Sequence, residues 1–538
     1  MTRLAIPPTD TTMHAALRRA FLPVFATAAF VLPSRAQGPV PPPRGSPDQF
    51  TLAATPTPAP ISAQEHARRR QQLAAGMGDG VLVALGAGEP ETDYTSFAQN
   101  SPFRYLTGVN EPGAVLAIVK RGGQVTEHLF VLARDPSREV WEGPRLGPER
   151  AQALTGIPTR TVQQMQEALR PALSQATTLY TLSPLSPDGS RSEFLRPDQQ
   201  YAQRLRDQYK NLTRVQDLGN ALFRIRATKT PAELDLIRRA VYITVLAHRE
   251  AMRATEPGMN EFEIHGLIEG TFRRYGAERP GFGSIVGSGP NSTTLHYRQA
   301  DRFMQAGETL VMDIGASYAG YTADVTRTIP VSGRFSQEQR QIYTIVLDAQ
   351  KAGERAARIG QPLSRVQQAA FRVVADGLAR LGLIESADAT YECSAGSQCP
   401  QAALFFMHGI GHGIGLDVHD PDPSYPNYGG GFKVGSAFTI EPGVYIRADA
   451  LDYLPDTPRN RQLIARIRPK VQQYRNIGVR IEDDYFFTEA GLERVTEGAP
   501  REIDEIEALM AQESFWNRER RPQVVEWYRA AVPATTTP

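Results

Sequence analysis

The segment TLVMDIGASYAGYTADVTRTI, residues 309–329, is the part of the chain whose reading decides the fold. Two apolar, β-branched runs flank a turn that carries glycine and tyrosine, and the pattern predicts two strands. Each run holds one aspartate, Asp313 and Asp324. In an antiparallel pair these side chains reach a common face. Val311, Met312 and Ile314 surround the first, and Ala323 and Val325 the second, so both carboxylates are expected to be at least half buried. A single carboxylate at a strand end is ordinarily solvated, so the question is how many gather.

Further acids sit in the same kind of setting. FTIEPGVYI (438–446) places Glu441 at the end of an apolar strand, before Pro442-Gly443. GVRIEDDYFF (478–487) places Glu482 after Ile481, with Arg480 on the same strand face. If the four carboxylates converge, each like-charged pair a few ångströms apart costs roughly 4 kcal/mol at an effective dielectric near 20. A marginally stable protein does not carry several such repulsions uncompensated. Protonation relieves them, and so do two divalent cations.

HGIGHGIGLDVHD (408–420) holds three of the nine histidines of the chain among four glycines. His408 and His412 are four apart, as on a zinc-protease helix, but position 409 is glycine where that helix needs glutamate. Four glycines also disfavour a helix. Read as a strand, positions 408 and 412 share a face, and the glycines admit a second backbone or a ligand.

The 538 residues suffice for two or three domains. Fifty-nine basic against fifty-eight acidic residues give a net charge of +1, so no electrostatic argument exists for a nucleic-acid or membrane-surface partner. Arg68-Arg69-Arg70, the densest basic spot, reads as a solvated helix face. LRRAFLPVFATAAFVLPSRAQ (17–37) has the layout of an export signal cleaved after Ala36, by a twin-arginine or a general secretion route. Its apolar stretch is too short for a lasting membrane span. Residues 37–61 read as a proline-rich linker, and 62–216 as an α/β domain of alternating helices and short strands. In TKTPAELDLIRRA, Thr230, Pro231 and Glu233 signal a capped helix start. From 217 to 500, helices and strands alternate in two α+β blocks; 501–538 is a tail that begins helical and ends frayed. Cys393 and Cys399 are expected to close a small disulfide loop in an oxidising compartment, the alternative being two free thiols.

Taken in order, TLHY, DIGASYAGYTADVTRT, HGIGHGIGLDVHD, TIEPGVYI and VRIEDD resemble the Xaa-Pro aminopeptidases, of the pita-bread metallopeptidases. FAQNSPFRYLTGVNEPGAVL and EVWEGPRLG resemble that family's N-terminal domain. The resemblance implies an α+β pita-bread catalytic domain behind a smaller α/β domain. It implies that Asp313, Asp324, His412, Glu441 and Glu482 hold two divalent metal ions, with Asp324 and Glu482 bridging. Manganese is the family's usual metal, and zinc or cobalt also suit such donors. His296, His408 and His419 match substrate-contacting and proton-handling histidines, Glu441 the residue that orients or deprotonates the attacking water, and Arg480 a support of the acids. The implied activity is removal of the first residue from peptides with proline second. A prolidase limited to Xaa-Pro dipeptides and a non-catalytic peptide binder are the rivals. A homo-oligomer is implied by analogy alone. The segment 447–476, longer than in compact family members, leaves substrate access open.

Overall fold

The computed structural model describes residues 57–90, 96–182, 197–394 and 396–520. The expected export signal, most of the linker and the end of the tail lie outside the described residues. No helix among the described residues is long and apolar enough to cross a membrane.

Strand Gly80–Leu85 pairs antiparallel with Val115–Arg121 and parallel with Thr178–Thr181, at the centre of a six-stranded mixed sheet. Val81, Val83, Ala117, Phe130 and Leu179 meet Leu169, Leu173 and Leu205 from helices Met165–Gln175 and Pro197–Gln208 in its core. Of the three arginines on helix Ala63–Ala75, Arg68 is exposed but Arg69 and Arg70 are buried, which corrects the solvated-face expectation for the run. Arg69 stacks 3.9 Å from the Tyr105 ring and pairs with Glu65 and Glu233; Arg70 pairs with Glu127. Partners from other elements take up the charge, so the two guanidiniums are buried without being isolated.

The second half begins as its capping signals require. The Thr230 side chain accepts from Glu233 N, Glu233 reaches back to Thr230 N, and helix Pro231–Ala254 follows. It packs against Glu261–Arg274, and a second helical pair, Gln337–Ala356 and Leu363–Leu381, follows the first sheet. One continuous apolar core joins these helices to the short antiparallel strands between them.

The deciding segment departs from a single hairpin. Thr309–Ile314 and Val325–Pro330 do pair antiparallel, with Thr326 opposite Asp313. Between them Ala316–Tyr318 and Tyr321–Thr322 form a separate sheet with Arg279–Pro280. Gly315 is the crossing point: a Cβ there would overlap the Ala323 carbonyl oxygen.

Two further regions depart from expectation. Segment 447–476 contains helix Pro458–Tyr474, whose buried Asn460 accepts from Glu392 N (3.1 Å) and donates to Glu392 O (2.8 Å). That ties the helix to the hairpin Thr390–Ser394 and Ser397–Pro400, which the Cys393–Cys399 disulfide closes. The tail does not begin at 501. Arg501 is buried against Asp483 and Glu354, and helix Ile503–Met510 packs on Pro231–Ala254. A cation facing two acids holds that segment down, which hydrophobic periodicity cannot reveal.

Candidate metal centre

Four places in the chain converge. Asp313 is the penultimate residue of strand Thr309–Ile314, and Asp324 immediately precedes its antiparallel partner. Glu441 follows strand Ala437–Ile440, and Glu482 lies between Ile477–Arg480 and Asp483–Thr488. His412 lies in an irregular segment, not a strand, which corrects the strand reading of 408–412. That segment still runs beside Ala437–Ile440: Thr439 N donates to His412 O (2.8 Å), Glu441 N to Ile410 O (2.8 Å), and Ile414 N to Ala437 O (3.0 Å). It approaches so closely that a Cβ on Gly411 would overlap the Thr439 carbonyl. The close approach that the glycines predicted is therefore present without regular strand geometry.

His412 Nε2 stands 3.4 Å from Asp324 Oδ2 and 3.5 Å from Glu441 Oε1. Ligand atoms of Asp324, His412 and Glu482 all lie within 4.8 Å of one another. Asp313 joins through a chain of contacts. Arg480 Nη2 donates to Asp313 Oδ2 (2.5 Å), Arg480 Nε to Thr326 Oγ1 (3.1 Å), and Thr326 Oγ1 to Glu482 Oε2 (2.7 Å).

One oxygen of each of three carboxylates is left over. Asp313 Oδ1, Asp324 Oδ1 and Glu482 Oε1 are buried and have no hydrogen-bond partner, on residues only 8%, 4% and 1% exposed. Burial, then the charges of Glu482 and Asp313, push the Asp324 carboxyl well above the usual range. Glu482 is pushed up in the same way, by burial and then by Glu441 and Asp313. Burial raises Glu441 to about 8, with Arg480 opposing and Asp313 adding to the rise. The Arg480 guanidinium supplies positive charge to this group through its contact with the Asp313 carboxylate.

His412 is set to accept a cation. His412 Nδ1 faces the Gly413 carbonyl (3.1 Å), which can only accept, so that nitrogen carries the proton and the Nε2 lone pair faces the acids. Burial and the neighbouring His419 lower His412 to about 3, keeping it neutral. A ligand-ready imidazole held by a backbone carbonyl, beside unpartnered carboxylate oxygens, fits a hard divalent ion. His408 takes a parallel posture: Nδ1 donates to Gly409 O (2.8 Å) and Nε2 accepts from Tyr445 OH (2.9 Å). Burial lowers it to about 4. Its Nδ1 is 3.7 Å from Glu441 Oε2, so His408 and His412 flank Glu441 on either side. His419 is exposed, with its ring 4.2 Å from that of His412. His296, also exposed, follows Leu295, whose carbonyl lies 3.5 Å from Arg480 Nη2.

Several supports were not read from the sequence. Thr326 lies two residues after Asp324, and the period of two that placed the aspartates was signal enough to find it. Tyr445 bridges Arg480 (3.0 Å) and His408 from strand Gly443–Ile446. The loop bearing His419 is held by Arg226, which pairs with Asp417 (2.8 Å) and Asp420, and by Lys229, which pairs with Asp420 (2.9 Å). Ser101, from the N-terminal half, donates to Asp417 Oδ2 (2.5 Å). Nothing in local spacing points to that contact.

The raised carboxyls make a pH prediction for the metal-free protein. A group such as Glu441 keeps its proton in the folded state after the unfolded chain has released it, between about pH 4.5 and about 8. The folded state binds more protons in that window, so stability falls as pH rises through it. Above about pH 6.5 the buried neutral histidines, lowered to about 3 and about 4, no longer change the balance, so thermal melts of chelator-treated protein should show a lower Tm at about pH 8 than at about pH 6.5. Adding manganese should raise the Tm at the higher pH most. A Tm that climbs between those pH values without metal would contradict this electrostatic picture.

Comparison with known proteins shows the family of the chain. Residues 235–489 match metallopeptidase family M24, and residues 66–180 match the aminopeptidase P N-terminal domain. The chain is 35% identical over 464 residues to the Xaa-Pro aminopeptidase of Escherichia coli (strain K12), covering 84% of this chain and 98% of that one. The structure of aminopeptidase P from E. coli with the inhibitor Pro-Leu superposes with a TM-score of 0.71 at 34% identity, covering 84% of this chain and 99% of the other. Proline aminopeptidase P II from Yersinia pestis gives 0.71 at 33% identity, over 84% and 100% of the two chains. The fold is that of aminopeptidase P, with an N-terminal domain and a C-terminal pita-bread domain, and the chain belongs to the Xaa-Pro aminopeptidases of metallopeptidase family M24.

Proposed function

We propose that this chain hydrolyses the bond between an N-terminal residue and a following proline, with two divalent cations held by Asp313, Asp324, His412, Glu441 and Glu482. The observation that carries the ligand set is the trio of buried, unpartnered carboxylate oxygens beside the neutral His412 lone pair. By the family resemblance Asp324 and Glu482 would be the ligands that both cations share, and their ligand atoms lie within 4.8 Å of each other and of His412. Four carboxylates and one imidazole form an oxygen-rich set, and manganese is the proposed metal, with zinc and cobalt as substitutes.

When bound, the cations supply Lewis acidity that polarises the scissile carbonyl and brings the pKa of a water towards neutrality. The protein's residues do the rest. Glu441 orients that water and takes up its proton, and His408, whose Nδ1 stands 3.7 Å from Glu441 Oε2, fixes the carboxylate from one side. Tyr445 and Arg480 hold His408 and Asp313 in register. His296 and His419, exposed at the rim, contact the peptide and donate to the oxygen on which charge develops. Binding of the substrate's free amine beside the acids limits cleavage to the first residue. Export through residues 1–36 and assembly into a homo-oligomer belong to the same reading.

Purified protein with added manganese, offered a Xaa-Pro dipeptide and a longer Xaa-Pro-Xaa peptide, tests it. Hydrolysis of the longer peptide is expected. Cleavage of the dipeptide alone would make the chain a prolidase, and binding without cleavage of either would make it a peptide-binding protein.

A further inference from the structure

Arg327 takes no part in the chemistry above, yet its side chain is completely buried directly behind Glu482. All five guanidinium N–H groups have partners. Nε donates to Pro500 O (2.9 Å), and Nη1 to Thr326 O (2.9 Å) and Glu482 O (2.6 Å). Nη2 donates to Asp483 Oδ1 (2.5 Å) and Ala499 O (2.9 Å). Glu482 N donates in turn to Thr326 O (3.0 Å). Both backbone polar groups of Glu482 are therefore engaged by residues 326 and 327, and its side chain by Thr326 Oγ1. Residues 326 and 327 belong to the strand that follows Asp324. Asp483 is fully buried as well and also accepts from Thr496 Oγ1 (2.5 Å) and Arg501 Nη1 (3.1 Å), so it is fixed from three sides.

We propose that Arg327 and Asp483 are a positioning pair that sets the separation of Asp324 and Glu482, and with it the affinity of the site for its cations. A buried ion pair is weak evidence for stability, because desolvation opposes the Coulomb gain. Its geometric effect is stronger: a planar fork with five fixed donors leaves Glu482 one backbone position. Lysine offers three donors from a point and cannot reproduce that fork.

The inference rests on the proposed ligand set, and the test separates the two. Manganese binding to the full-length protein is measured by calorimetry or by competition with a chelating dye, for wild type, Arg327→Lys, Asp483→Asn and the double variant. Circular dichroism and melts of the metal-free proteins report folding. Each single variant should weaken manganese binding about 10–100-fold, the range for residues that orient metal ligands. The double variant should be no worse than the weaker single, because the pair acts as a unit. KM for the peptide should stay within about twofold, since neither residue touches substrate. If Arg327→Lys fails to fold, Asp483→Asn decides. Wild-type affinity in a folded variant overturns the positioning role while loss of metal in Glu482→Ala leaves the ligand set standing. Wild-type affinity in Glu482→Ala overturns the ligand set itself.

Discussion

Glu482→Ala should reduce peptide hydrolysis by at least about 10⁴-fold. In the proposed set, the variant removes a ligand that Thr326 holds through Oε2 and whose Oε1 is buried and unpartnered. Without it Asp324 and His412 would lose the third member of their cluster, and the proposed pair of cations one of its two shared ligands. The water would then keep a pKa nearer its bulk value of about 15.7 than about 7, which is why the expected loss exceeds that of any supporting residue. Steady-state rates on a Xaa-Pro-Xaa peptide, read with elemental analysis of the same sample, check it. A wild-type rate would remove the bridging role, and a lost rate with two metals retained would show that Glu482 acts on the chemistry in another way.

His419→Ala should lower kcat by about 10²- to 10³-fold, the scale of removing one donor to a developing oxyanion, and leave the metal content unchanged. The ring stands 4.2 Å from that of His412 yet is exposed, so it reaches the cleft rather than the carboxylate cluster. Its loop is pinned on both sides by the pairs of Arg226 with Asp417 and Asp420. Truncating the ring therefore leaves its backbone in place. Loss of metal together with rate would make His419 a support of His412 instead, and an unchanged kcat would take it out of the reaction.

Much of the candidate site was legible because its acids sit in or at the ends of short apolar strands, where alternation tells which side chains share a face. Asp313 and Asp324 meet across an antiparallel pair as that rule requires, and Thr326 follows from the same rule. Glycine spacing announced a close backbone approach at 408–415, and Gly411 against Thr439 is such an approach. The rule misled where it assumed regularity. Residues 408–412 lie along a strand without becoming one, and 309–329 divides between two sheets at Gly315. The arginine run failed for a different reason. A helix pattern counts polar residues as solvated, and Arg69 and Arg70 found acidic and aromatic partners far away in sequence.

The sequence by itself determined the candidates for the site and the elements beside them: four acids on or next to apolar strands, a histidine among glycines, and helices begun by capping boxes. These are local properties, settled by backbone periodicity and by which residues satisfy a helix end. Only the tertiary structure decided which oxygens are left without partners, which nitrogen of His412 carries the proton, and that Arg327 and Arg501 lock the C-terminal segment behind Glu482. Those depend on distances between separate sheets. Side-chain period assigns a residue to a face but carries no information about what that face will meet.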